Sequence, residues 1–292
     1  MKLRLRLNAI VGLMVLLTPA IGCAPIHIPE TTEPLLKPPR MTPQSVALDI
    51  FFVRVPYGDE TANVRLWQEL DEQCLSPELR QDLFRHGFRV GRSTGDASLS
   101  LAELLALDDA AVTTGPVQKA DLDTLDEEPK VVRRHLQLPF HKRGQIVASG
   151  IYPEMPLVEC DDGSLCGRIL SQAQGQFALF LEPKRDGGVK LKLVPEIEHG
   201  QPRIRPVGEG GVLRLETGRP RLALDRLACE VDLAPGDMLV ATALPNRPGS
   251  VGDYFLTTRK DDAKQQKVLV IRLSQTQHDP LFQGDVPSDA SR

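Results

Sequence analysis

Apolar and polar residues alternate along most of this chain with the period of strands, and only its front part carries the period of helices. In SVALDIFFVRV (45–55), Val46, Leu48, Ile50 and Phe52 share one side. Ala47, Phe51, Val53 and Val55 share the other, with Asp49 among them. Two apolar faces predict a strand covered on both sides. Pro56 and Gly58 end it. VRLWQELDEQ (64–73) has Leu66 and Leu70 at helical spacing with Trp67 beside them. Ser76-Pro77 opens a second helix, Ser as cap and Pro in the first turn, which runs through Leu79, Leu83 and Phe84 to Gly87. Phe88-Arg89-Val90 reads as a short strand. Ser100 with Glu103 matches a capping box ahead of Leu104, Leu105 and Leu107.

After residue 130 the texture changes. VVRRHLQLPF (131–140), QIVASGIY (145–152), MPLVEC (155–160), QFALFLEP (176–183), VKLKLVPEI (189–197), GVLRLET (211–217), CEVDL (229–233), DMLVATAL (237–244), DYFLTT (253–258) and KVLVIRL (267–273) all have strand character. Gly, Pro and Asp punctuate them. Val189, Leu191 and Leu193 face one way and Lys190 and Lys192 the other, the signature of a half-solvated antiparallel sheet. Asp186-Gly187-Gly188 supplies positive φ cheaply, so it predicts a tight hairpin joining 176–183 to 189–197. The fold class is α+β: an antiparallel β-rich body with a few short helices near its front.

The start of the chain is organised differently. Lys2, Arg4 and Arg6 precede a nine-residue apolar run, Ala9–Leu17, and Ala20 and Gly22 stand before Cys23. This is the form of an export signal. The run is short for a bilayer, whose hydrocarbon core of about 30 Å takes about 20 apolar residues to cross. Ala20-Ile21-Gly22-Cys23 resembles the lipobox of bacterial lipoproteins, which implies a lipid such as palmitate on Cys23 and a mature chain beginning there. A simple secretory signal, leaving Cys23 a plain thiol, and an uncleaved anchor are the alternatives. Pro25, Pro29, Pro34, Pro38, Pro39 and Pro43 then make an extended, stiff tether. The expected organisation is a signal at 1–22, a tether at 23–44, a strand with short helices at 45–107, an acidic linker at 108–130, a β-rich module at 131–275 and a tail at 276–292.

Composition narrows the functional classes. The chain of 292 residues has net charge −4, and removal of residues 1–22 would take it to −7. It has no basic patch of a size that suits nucleic acid. After Cys23, four cysteines remain, which allow two bridges in three connectivities. Cys160 and Cys166 flank the turn-like Asp161-Asp162-Gly163-Ser164, which suits a hairpin clip. The alternative is that some are small buried apolar residues.

Candidate chemistry is thin. His135 and His141 lie near Arg133, Arg134, Lys142 and Arg143, as at a solvated strand edge. His199 with a neighbouring carboxylate of Glu196 or Glu198 could hold a metal, but the pattern lacks a visible third ligand and Gly200 suggests a turn. The acidic residues Asp108, Asp109, Asp121, Asp123, Asp126, Glu127 and Glu128 lack the spacing of a calcium loop. Ser93, Ser98 and Ser100 lack a nucleophile elbow. Gly144 and Gly150 precede no phosphate loop. Arg203 and Arg205 suit surface pairs with Glu209 or Glu216. No cofactor, metal or catalytic residue is expected, and the chain reads as a non-enzyme.

Three segments resemble the core domain of bacterial secretins, in the same order. These are LKLVPEIEHG (191–200), LAPGDMLVATAL (233–244) and KVLVIRLSQT (267–276), and ALDIFFVRV (47–55) resembles that domain's opening strand. As a whole the chain is similar to a family of planctomycete lipoproteins. The resemblance implies an antiparallel core and a role in assembly. The expectation is a lipid-anchored structural or assembly protein of the cell envelope, facing the periplasm, that binds another envelope protein or its own copies through sheet edges or loops. A secretin-like channel component and an envelope hydrolase are the alternatives.

Overall fold

The computed structural model describes residues 44–107, 111–112, 130–161, 164–209, 212–260 and 263–277. Cys23, the signal-like segment, nearly all of the tether and of the acidic linker, and the last fifteen residues fall outside them. So do the side chains of Cys160 and Cys166.

Chain order runs through β1 (Ser45–Pro56), short helices at Glu60–Asn63, Pro77–Arg85 and Asp96–Leu104, and β2 (Phe88–Ser93). Next come β3 (Ala111–Val112), β4 (Val131–Pro139), β5 (Gly144–Asp161), β6 (Ser164–Pro183) and β7 (Val189–Glu198). Then follow β8 (Arg203–Glu209), β9 (Val212–Gly218), β10 (Arg221–Ala223) and β11 (Cys229–Leu233). The chain closes with β12 (Met238–Ala243), a helix at Val251–Leu256, β13 (Thr257–Lys260) and β14 (Ala263–Gln277). Pairing is antiparallel except where the two residues of β3 run parallel to β4.

A seven-stranded sheet has the order β2-β12-β14-β1-β4-β3, with β13 also on β14. A second sheet has the order β10-β7-β6-β5, with β11 also on β7, and β8 and β9 form a separate hairpin. The two faces of β1 are both buried, and the reason is layering. Val46, Leu48, Ile50 and Phe52 enter the core between the two sheets, beside Phe177, Leu179 and Leu181 of β6 and Leu191 and Leu193 of β7. Phe51, Val53 and Val55 enter a second core beneath Ala62, Leu66, Trp67, Leu101 and Leu105 of the front helical segments. Burial of these two faces is the main source of stability.

Few aromatic residues are available, and three of them meet in the larger core. Phe255 lies edge-on to Phe88 at 5.5 Å and to Phe177 at 5.4 Å, joining a helix to both sheets. Gly175 makes room for it, since a Cβ there would stand 2.6 Å from the Phe255 ring. The hairpin at Asp186-Gly187-Gly188 forms as expected: Pro183 stands opposite Val189 and Gly187 has φ of 82°. Val189, Leu191 and Leu193 point inward and Lys190 outward, as the alternation requires. Ser76 caps its helix by accepting from the Leu79 amide at 3.2 Å.

Four local expectations differ. The helix expected at 64–73 is a single turn at Glu60–Asn63 followed by a 3-10 turn at Arg65–Gln68. Asp59 starts it early by accepting from the Ala62 amide, and Asp71 leaves it to form a bridge with Arg92. Ser100 is not a cap; its helix begins at Asp96 behind Gly95, which has φ of 56°. DYFLTT is not a strand at its start. Ser250 accepts from the Asp253 amide at 3.3 Å and opens the helix Val251–Leu256, leaving only Thr257 onward in β13. Strands β5 and β6 are far longer than their most apolar stretches, and β8 was not expected at all.

Candidate functional site

The register of three neighbouring strands builds a charged cluster around Asp49. On one side β14 places Arg272 directly opposite Asp49, and on the other β4 places His135 opposite it. Arg133 stands two positions along β4, opposite Phe51. Side chains two apart on a strand share a face, so all of these converge where the smaller core ends.

Asp49 is fully buried. Arg133 donates to both of its oxygens, Nη2 at 3.0 Å from each and Nε at 3.2 Å from Oδ1. Arg272 Nη2 donates to Oδ2 at 3.0 Å, and His135 Nδ1 lies 3.2 Å from Oδ1. Both guanidinium groups lie over Phe51, at 5.7 Å and 5.1 Å from its ring centre. Burial pushes the Asp49 carboxyl up, but hydrogen bonds from Arg272, His135 and Arg133 outweigh it and hold the group below its usual range. Gln137 Nε2 donates to Ser45 Oγ at 3.1 Å and extends the polar row along the same strands.

Charge does not balance in this cluster. One carboxylate meets two guanidinium groups and an imidazole. The carboxylate is hidden, while the side chains of Arg133 and His135 keep 36% and 55% of their exposure. The surplus is therefore positive and faces solvent. β4 is also the last long strand of its sheet. On its outer side β3 pairs with Val132 and Arg133.

The cluster suits binding better than catalysis. Both Asp49 oxygens are saturated by cationic donors, so the carboxylate orients its neighbours and is a poor base. No hydroxyl or thiol shares a hydrogen bond with the Asp49–His135 pair among the described residues.

The other candidates scatter. Arg134 faces away from Arg133, its guanidinium partly desolvated and its pKa lowered by burial. Arg143 pairs with Glu196, whose carboxylate also accepts from Gln176 at 3.1 Å. His141 is exposed at a turn with φ of 59°. His199 donates its amide to Pro220 and is shifted down by burial and then by Arg168, Arg219 and Arg203. Glu196 is thus committed elsewhere. Among the described residues no three His, Cys, Asp or Glu side chains gather in a metal-binding group. Ser93 and Ser98 are buried, and Ser100 is exposed on its helix. Arg205 stands opposite Glu216 in register. The acidic residues of 108–128 lie outside the described residues.

One further site gave no motif. Tyr152 and Tyr254, two of the chain's three tyrosines, line a cleft of about 600 Å³ beside the helix Val251–Leu256. Tyr152 and Tyr254 lie edge-to-face at 5.2 Å. Lys264 pairs with Asp253 at 2.6 Å and lies 4.1 Å from the Tyr57 ring centre. The signal available in the sequence was only the scarcity of tyrosine itself.

No family model matches the chain, and no curated protein matches it significantly. Among the described residues, no helix is long and apolar enough to cross a membrane.

Proposed function

We propose that this chain is a lipid-anchored, non-enzymatic assembly module of the cell envelope, held to a membrane through Cys23. It captures an extended acidic segment of another envelope protein along the outer side of β4. One observation carries this reading: the guanidinium groups of Arg133 and Arg272 outnumber the single buried carboxylate of Asp49 between them, and Arg133 keeps 36% of its side-chain exposure on β4, the last long strand of its sheet. An acidic segment lying across this face places its carboxylates beside the Arg133 guanidinium, where charge-assisted hydrogen bonds hold it. Asp49 already fixes the guanidinium groups, so little side-chain freedom is lost on binding. The likeness to secretin core segments supports a role in building an envelope machine.

The test places a photo-crosslinking residue at Gln137 in cells, followed by gentle detergent extraction and sizing. The expected result is a mixed complex with one acidic partner crosslinked at Gln137. Arg133→Gln weakens it at least tenfold, about 1.4 kcal/mol, and added salt weakens it further. A monodisperse monomer with no crosslink overturns the assembly role. A ring of identical chains moves the assignment to a secretin-like channel component.

A further inference from the structure

Cys74 and Cys229 are far apart in sequence, with more than half of the chain between them. The fold brackets them together. On one side, Asp71 bridges Arg92, and Arg92 Nη1 reaches across to the Asp232 carbonyl at 3.1 Å. On the other side, the helix Pro77–Arg85 packs on the 3-10 turn Asp225–Leu227. The segment 71–77 is thus tied to the segment 225–232 twice, through Arg92 at Asp232 and through the helix on the turn Asp225–Leu227. Cys74 stands near the middle of the first segment and Cys229 near the middle of the second. Both pack in the larger core, Cys229 only 2% exposed and Cys74 partly so. In this structure both are thiols, Cys74 Sγ donating to the Asp71 carbonyl at 3.0 Å.

We propose that Cys74 and Cys229 are a disulfide-forming pair that staples the front helical segment to β11 when the chain meets an oxidant. The oxidant is a small-molecule or protein disulfide. The more accessible Cys74, as thiolate, attacks one oxidant sulfur, forms a mixed disulfide and releases one oxidant thiol. Cys229, as thiolate, then attacks the Cys74 sulfur and releases the second. Two protein thiols lose two electrons and two protons, and one oxidant disulfide becomes two thiols. Burial and the nearness of Cys74 push the Cys229 thiol up to about 12, and burial and Asp71 raise that of Cys74. The second step is therefore slow at neutral pH, and oxidation quickens as pH rises.

Occurrence of the bond in the cell rests on export from the cytoplasm; the pairing itself does not. The test therefore has two arms on the full chain. In the first, reduced protein is incubated with glutathione disulfide at pH 8.5, denatured with an alkylating reagent present, and digested without reduction. The expected product is a linked pair of peptides containing Cys74 and Cys229, two hydrogens lighter than their sum and absent from both Cys74→Ser and Cys74→Ala. The oxidised form melts roughly 5 °C or more above the reduced form, because the bond closes a long loop. Complete alkylation of both cysteines, or linkage of either to Cys160 or Cys166, overturns the pairing. In the second arm, the chain is recovered from envelope fractions with thiols trapped at lysis. A bond formed in the first arm and missing here overturns its formation in the cell and the exported reading together, and leaves the pairing intact.

Discussion

Replacing Asp49 with asparagine keeps the side chain's shape and removes its charge. Arg133, Arg272 and His135 then face one another across a neutral amide, and an amide NH₂ is turned toward at least one donor. The guanidinium groups are partly solvated, which limits the penalty, so Asp49→Asn is expected to cost about 2 kcal/mol in urea unfolding near neutral pH. The pH dependence has a definite sign. The folded carboxyl titrates below the usual 3.8, so its contribution is complete above that value and fades as pH falls through the lower, folded value. The difference between wild type and Asp49→Asn should be flat from pH 5 to 7 and shrink below pH 4. Lys267 has the same sign in a higher window, because there the fold disfavours the charged form. Burial, with Arg54 adding repulsion, lowers its pKa from 10.5 to about 8, while its ammonium donates to the Ala148 carbonyl. Between those two values the unfolded chain binds the extra proton, so raising pH from 8 to 10.5 favours the fold. Relative to Lys267→Met, wild type should gain melting temperature across that window.

Among the elements, the helix Val251–Leu256 depends on the tightest fit. A Cβ on Gly252 would stand 2.1 Å from the Gly87 carbonyl oxygen, and backbone cannot swing aside as a side-chain tip can. Gly252→Ala is therefore expected to cost about 3 kcal/mol, against about 1 kcal/mol for removing the Ser250 cap, both read by chemical denaturation. This helix also marks where local pattern misleads. Tyr254, Phe255 and Leu256 have strand propensity, yet Ser250 with Asp253 three residues on is a cap signature that lies just upstream of the apolar run. β1 and the β6–β7 hairpin were legible because alternation, length and turn glycines agree there. The first half of β6 was not, since Ser164–Gly175 mixes small, polar and charged residues whose strand pairing is set by β5 across the ribbon. The site was half legible. His135 and Arg133 stand out as a cationic run, but Arg272 is more than two hundred residues from Asp49, and only register brings the two together.

Across the whole molecule, sequence order and spatial order diverge. β1, the first strand of the body, lies between β4 and the last strand, β14, so the front helices and the rear β-module share one sheet and both of its cores. Such non-local pairing closes long loops before it is rewarded, and folding on the millisecond-to-second scale is expected by stopped-flow refolding of the reduced chain. A period-based reading finds each strand and says nothing of this order, because neighbours in the sheet are chosen by burial over long separations. The antiparallel pairing of β1 with β14 sets Ser45 beside Gln277 and Pro56 beside Gln265. A mechanical load applied between Ser45 and Gln277 peels the pair one rung at a time, whereas a load between Ser45 and Ala263 shears every rung together. Pulled at Ser45, the body thus resists tension arriving from the Ala263 end of β14 and yields to tension arriving at Gln277.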